Sequence, residues 1–171
     1  ESEGHEHEGA YPHYWMSVTE ARKMASTMAG GLIQADPAFR ATIEKNLDLL
    51  TRRLDSLGSA MSNRLQSLSH RSFLIFHPAL TYLARDYQLK QYSMELGGKE
   101  PTASHFRDLV QLAHNEDIHT IFIQKEYDQE NAQSLAREIQ ATIVVIDPMS
   151  PDWFSEMEQL AGKLAAMDEH K

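Results

Sequence analysis

Residues 72–78 read Ser-Phe-Leu-Ile-Phe-His-Pro, and residues 142–148 read Thr-Ile-Val-Val-Ile-Asp-Pro. The runs FLIF (73–76) and IVVI (143–146) are short, apolar and rich in β-branched or aromatic residues. Each is separated from a Pro by a single residue and is followed by a helix-like pattern, the signature of a buried strand that enters a helix. In a parallel α/β sheet, ligands bind outside the carboxyl ends of the strands. The two runs therefore bring an imidazole, His77, and a carboxylate, Asp147, to the same edge of one sheet. Both are good ligands for a borderline divalent cation such as zinc.

Around these runs the pattern alternates. Strands are expected at 72–76, 91–94, 120–124 and 142–146. Helices are expected at 78–87, 103–114, 129–139 (capped by Asp128) and 151–167, the last burying Phe154, Met157, Leu160, Leu164 and Met167. Gly97-Gly98 and Glu100-Pro101 mark the turn after the second strand. Four β-α units in sequence predict an α/β fold: a four-stranded parallel sheet flanked by helices on both faces.

The upstream part is helical. Ser17-Val18-Thr19-Glu20 fits a capping box, with Ser bonding the third amide and Glu reaching back. Val18, Ala21, Met24, Met28 and Leu32 then share one face, weakened near its end by Gly30-Gly31. Asp36-Pro37 is a strong second start. From Phe39 through Ile43, Leu47, Leu50, Leu54, Leu57, Met61 and Leu65 to Leu68, apolar residues recur at gaps of three and four. That stripe predicts a helix over 37–68, about 48 Å long at 1.5 Å per residue. A coiled-coil strand is the competing reading, but the flanking charges are not clearly paired. The chain thus divides into a polar His/Glu-rich segment (1–10), a His motif with a helix (11–35), a long linking helix (36–70) and an α/β lobe (71–171).

Composition narrows the function. A net charge of -9 over 171 residues argues against a nucleic-acid partner and is compatible with a cation as ligand. The absence of Cys removes thiolate metal sites and disulfides. No stretch approaches the roughly 20 apolar residues of a membrane span. The chain begins with Glu and shows no signal peptide, so its start reads as a processed or truncated end.

A third ligand candidate, His13, lies in Tyr11-Pro12-His13-Tyr14-Trp15, just before the capped helix. His5 and His7 stand among acidic residues and read as a solvated linker or as auxiliary metal-capturing groups. His70, His105, His114 and His119 are placed as surface or packing residues.

From His13 onward the chain resembles the zinc- and manganese-binding solute receptors of bacterial ABC transporters, which have the helical-backbone metal receptor fold. The family's Asp-Pro-His-x-Trp motif stands here as YPHYW, with Tyr11 in place of Asp, and its Asp-Pro as Asp36-Pro37. Ile43-Glu44-Lys45-Asn46 resembles its Tyr-x-x-Asn stretch without the Tyr. Its His-x-Ala-x-x-Tyr-x-Ala segment is HPALTYLA at 77–84. Glu100-Pro101-Thr102 and Asp147-Pro148-Met149 resemble its Glu-Pro-Ser and Asp-Pro-Leu turns, and GHEHEG the tail of the His-rich loop in zinc members.

This resemblance implies a metal site built from His13, His77 and Asp147, completed by a water or by a His of an N-terminal lobe that this chain lacks. The long helix would link the two lobes. Tyr11 in place of Asp puts outer-shell support of His13 in question. The implied function is high-affinity capture of a divalent metal and delivery to an ABC transporter membrane permease for uptake, in the periplasm or cell envelope, with or without a lipid anchor. Zinc is favoured over manganese, because manganese receptors resembling this chain carry Glu where His77 stands and manganese prefers oxygen donors. Binding should weaken below about pH 6, where free His protonates. Two alternatives differ in class. One is a surface adhesin of the same family. The other is a zinc-dependent hydrolase, which would need a general base from Glu95, Glu100 or Glu126. The chain is read as a receptor and not as an enzyme.

Overall fold

The alternating pattern becomes one sheet of four parallel strands: β1 (Ser72–Ile75), β2 (Lys90–Ser93), β3 (Thr120–Gln124) and β4 (Thr142–Ile146), in spatial order β2-β1-β3-β4. The structure is a computed structural model that describes residues 12–95, 102–127 and 130–169. The central strands β1 and β3 are buried along their whole length, because helices cover both faces. Side chains alternate between those faces. Phe73, Ile75, Phe122 and Ile146 pack with α3 (Thr81–Asp86), α6 (Trp153–Ala165) and the C-terminal half of α2 (Arg40–Leu65). Leu74, Phe76, Ile121 and Ile123 pack with α4 (Ala103–Asn115) and α5 (Glu130–Ile139).

The expected IVVI strand is less buried than its composition suggests. β4 is the sheet edge: Ile146 is buried, but Val145 is 39% exposed. The chain runs outward from β1 to β2, then returns across β1 to form β3 and β4. Strand order therefore reverses between β1 and β3. Such a reversal opens a crevice at the carboxyl ends of those two strands. His77 follows β1 there, and Lys125 follows β3.

Before the sheet stand α1 (Val18–Ala35) and α2. The Ser17 hydroxyl accepts the Glu20 N–H at 3.1 Å and donates to Asp86 at 2.5 Å. Only half of the expected capping box forms: the Glu20 carboxylate turns instead to Lys23 and Arg85. α1 continues through Gly30 and Gly31 to Ala35. Asp36 then accepts the Ala38 N–H at 3.0 Å and starts a 3-10 turn, Pro37–Phe39, ahead of α2. The helix expected over 37–68 is therefore shorter, with 26 residues in α2. The helix expected from 78 begins only at Thr81. There the Ala79 N–H closes on the His77 carbonyl at 2.7 Å and makes a turn first.

The long apolar stripe divides in two. Leu54, Leu57, Met61, Leu65 and Leu68 are buried against the lobe. Phe39, Leu50, and on α1 Met28 and Leu32 remain exposed, Met28 by 63%.

After α6, the 3-10 turn Ala166–Glu169 brings Asp168 back to the entry of β1. Its carboxylate accepts the backbone N–H groups of Ser69 at 2.9 Å and His70 at 2.8 Å. Burial pushes this carboxyl up, but the two N–H groups and His70 outweigh it and hold it below its ordinary value. A depressed carboxyl stabilises the fold above its unfolded pKa of about 3.9 and loses that contribution as pH falls through the folded value. Asp168→Asn should cost on the order of 1 kcal/mol at neutral pH, discounted for solvent screening. In urea titrations the gap from wild type should narrow between about pH 5 and about pH 2. A gap that stays constant would mean that the charge of Asp168 contributes nothing.

Candidate metal centre

His77 is held from three directions. The buried Gln124 side chain at the end of β3 donates to the His77 carbonyl at 2.7 Å, and its oxygen accepts the His77 N–H at 3.4 Å. It thereby extends the β1–β3 ladder with a side-chain amide. On the ring, Nδ1 lies 2.6 Å from Glu95 Oε2, and the Glu95 side chain is only 9% exposed. The Tyr127 ring stacks on His77 with centroids 5.9 Å apart and planes at 25°.

His13 meets this assembly edge-on, its ring centroid 4.9 Å from that of His77 at 79°. It caps the 3-10 turn Tyr14–Met16, and its carbonyl accepts the Met16 N–H at 3.1 Å. Two tryptophans fix the segment: Trp15 Nε1 donates to Pro148 O at 2.9 Å, and Trp153 Nε1 donates to Trp15 O at 2.9 Å. The first bond ties the His13 segment to the residue after Asp147. Burial, then the neighbouring His77, lowers the pKa of His13, which favours the neutral ring. Its Nδ1 is buried and has no hydrogen-bond partner among the described residues. An unpaired buried nitrogen is costly unless a ligand meets it. His105 Nε2 on α4 is unpaired in the same sense, but His13 also lies against a second imidazole, that of His77.

Asp147 stands at the exit of β4, two strands from β1 and so roughly 10 Å across the sheet edge. Its N–H donates to Glu156 Oε1 at 3.0 Å, from the buried side chain on α6. Its Oδ1 accepts the Met149 N–H at 3.2 Å, and its Oδ2 is paired with Lys125 Nζ. The structure thus brings His13 and His77 together and leaves Asp147 engaged by a lysine. Among the described residues, no three His, Asp or Glu side chains are assembled into a metal cage.

His70 and His119 both lie against Asp117, at 3.3 Å and 2.9 Å, near the amino ends of β1 and β3. His5, His7, Tyr11, Gly97, Gly98, Glu100, Pro101 and Asp128 lie outside the described residues. Sequence reading missed the roles of Gln124 and Lys125, and considered Glu95 only as a general base. The available signal was position: Gln124 ends, and Lys125 directly follows, a strand that neighbours the His77 strand, and Glu95 lies two residues past the end of β2.

Comparison with known proteins is consistent along the chain. Residues 1–167 match the ZnuA family, described as zinc-uptake complex component A, periplasmic. A protein of Treponema pallidum is 33% identical over 146 residues, covering 84% of this chain and 46% of the relative. The zinc-binding lipoprotein AdcA of Streptococcus pneumoniae is 31% identical over 149 residues, covering 86% of this chain and 30% of AdcA. A crystal structure of ZnuA superposes with a TM-score of 0.89 at 33% identity, over 93% of this chain and 62% of that one. The chain spans less than half the length of these two curated relatives. In sequence and in fold, the chain belongs to the ZnuA family of solute-binding receptors, which are not enzymes.

Proposed function

We propose that this chain is the C-terminal part of a receptor that captures a divalent metal, zinc in preference to manganese, and delivers it to an ABC transporter permease in the cell envelope. The observation that carries this reading is the His13–His77 pair, with its rings 4.9 Å apart and a buried His13 nitrogen left without a partner among the described residues. Two imidazole ligands suit zinc better than manganese, which prefers oxygen donors. Asp147 is the third ligand of this proposal. Met28 and Leu32 on α1 and Ile43, Leu47 and Leu50 on α2 line one surface groove, which supports a further lobe there, because clustered exposed apolar residues often mark an interface. The zinc-binding relative AdcA and the matched family point in the same direction.

Parallel calorimetric titrations of zinc and manganese test the reading. Zinc should bind more tightly at neutral pH, through the histidines. Manganese binding as tight as zinc would overturn the preference, and no zinc binding would overturn capture by this chain. For delivery, the metal-loaded full-length receptor should stimulate ATP hydrolysis by the reconstituted transporter, and no stimulation would count against that step.

Glu95 has a defined part in this scheme. With Nδ1 of His77 turned to Glu95, the other ring nitrogen, Nε2, is the one left for a metal. A carboxylate behind a ligating His fixes its tautomer and orientation, and its loss usually weakens metal binding roughly 10- to 100-fold. Glu95→Ala is expected to fall in that range by chelator competition, with Glu95→Gln in between. A Glu95→Ala affinity equal to wild type would show that the pair does not orient the ring.

A further inference from the structure

The carboxylate proposed as third ligand already has a cationic partner. Lys125 directly follows β3, the strand that separates the exit of β1 at His77 from the exit of β4 at Asp147. Its backbone N–H bonds the Ile146 carbonyl at 3.0 Å, which seats it beside the residue before Asp147. From there its ammonium pairs with Asp147 Oδ2, while Oδ1 is occupied by the Met149 N–H. The lysine therefore springs from between the two halves of the site, at the switch in strand order.

We infer that Lys125 is a tethered counter-cation, which holds the Asp147 carboxylate while no metal is bound and is displaced when a divalent cation binds. The inference rests on Asp147 being a metal ligand. A dication approaching Asp147 meets a neutralised carboxylate and a like charge, and both lower its affinity. In the reverse direction, the ammonium can return to Asp147 as the metal leaves, so the carboxylate is not stranded without a counter-charge. The device would trade tightness for ease of release. A lysine ammonium is charged at neutral pH, so the pair is one of opposite charges. The Lys125 side chain is 56% exposed and can swing into water without disturbing the core.

Zinc affinity measured by competition with a chromophoric chelator tests this in the 171-residue chain. Lys125→Met should bind zinc about two- to fivefold more tightly, the range of an exposed ion pair. Lys125→Arg, which keeps the charge, should stay near wild type. In an Asp147→Asn background, Lys125→Met should have no effect. Unchanged or weaker binding by Lys125→Met would overturn the inference. So would tightening that persists in Asp147→Asn, because it would report general charge rather than this pair. His77→Ala, measured alongside, separates the two failures. If it leaves affinity unchanged, the site reading itself fails. If it weakens zinc binding while Lys125→Met does nothing, only the counter-cation fails. A wild-type chain that binds no zinc overturns both.

Discussion

His77→Ala is expected to weaken zinc binding by more than the roughly 10- to 100-fold that an outer-shell partner is worth. It removes the best-positioned imidazole of the site. That ring is held by Glu95 at 2.6 Å and stacked on Tyr127, and its backbone is clamped on both sides by Gln124. The position is pre-organised, so its ligand contributes affinity without much ordering cost. The variant leaves the nearly buried Glu95 carboxylate without its partner, which should also lower stability by about 1–3 kcal/mol. A denaturation curve taken beside the zinc titration separates the two effects. His13→Ala should weaken binding on a similar scale without that stability cost, because its Nδ1 has no partner to abandon among the described residues. Acting as one site, the two losses should be far from additive in the double variant. If folded His77→Ala binds zinc within twofold of wild type, His77 is not a ligand.

The largest effect on the fold itself is expected from Phe122→Ala. Phe122 is fully buried in the central strand β3, and its ring meets that of Phe73 edge-on with centroids 5.2 Å apart. Truncation removes the buried ring and leaves a cavity under α2 and α6, which typically costs about 3–5 kcal/mol. The lost edge-to-face contact adds about 0.5–1.5 kcal/mol. Whole-domain stabilities are about 5–15 kcal/mol, so the variant should unfold at a much lower denaturant concentration and approach instability near body temperature. Zinc binding should fall with it only to the extent that the chain is unfolded. A loss below about 1.5 kcal/mol would mean that the neighbouring Met and Leu side chains collapse into the space. Phe39→Ala makes the contrast: Phe39 is 58% exposed in this structure, and its loss should be nearly neutral here.

That contrast shows where sequence reading succeeds and where it stops. Periodicity places Phe39 and Leu57 in one stripe of one helix; Leu57 lies on α2, and Phe39 ends the 3-10 turn just before it. Periodicity cannot say which half is covered, because coverage depends on what packs there: α6 and the sheet bury Leu57, while Phe39 meets solvent. The FLIF and IVVI runs were legible as strands. That one is central and the other an edge depends on the order β2-β1-β3-β4, which no local pattern encodes. His13 and His77 were legible as ligand types, and their meeting is a finding of the structure. Gln124, Glu95 and Lys125 are common polar residues with no motif of their own. Their roles come from β3 lying beside β1, and from β2 ending next to His77.

The twin strand ends at His77-Pro78 and Asp147-Pro148 therefore remain the point where sequence and structure divide. The sequence alone determined that an imidazole and a carboxylate would leave the same edge of a parallel sheet, because strand length, Pro placement and the helices that follow are local properties. Only the tertiary structure decided their partners. Side chains more than 60 residues apart in the chain, as His13 and His77 are, come together through packing. A lysine can hold Asp147 only because the strand that carries it was laid between the other two.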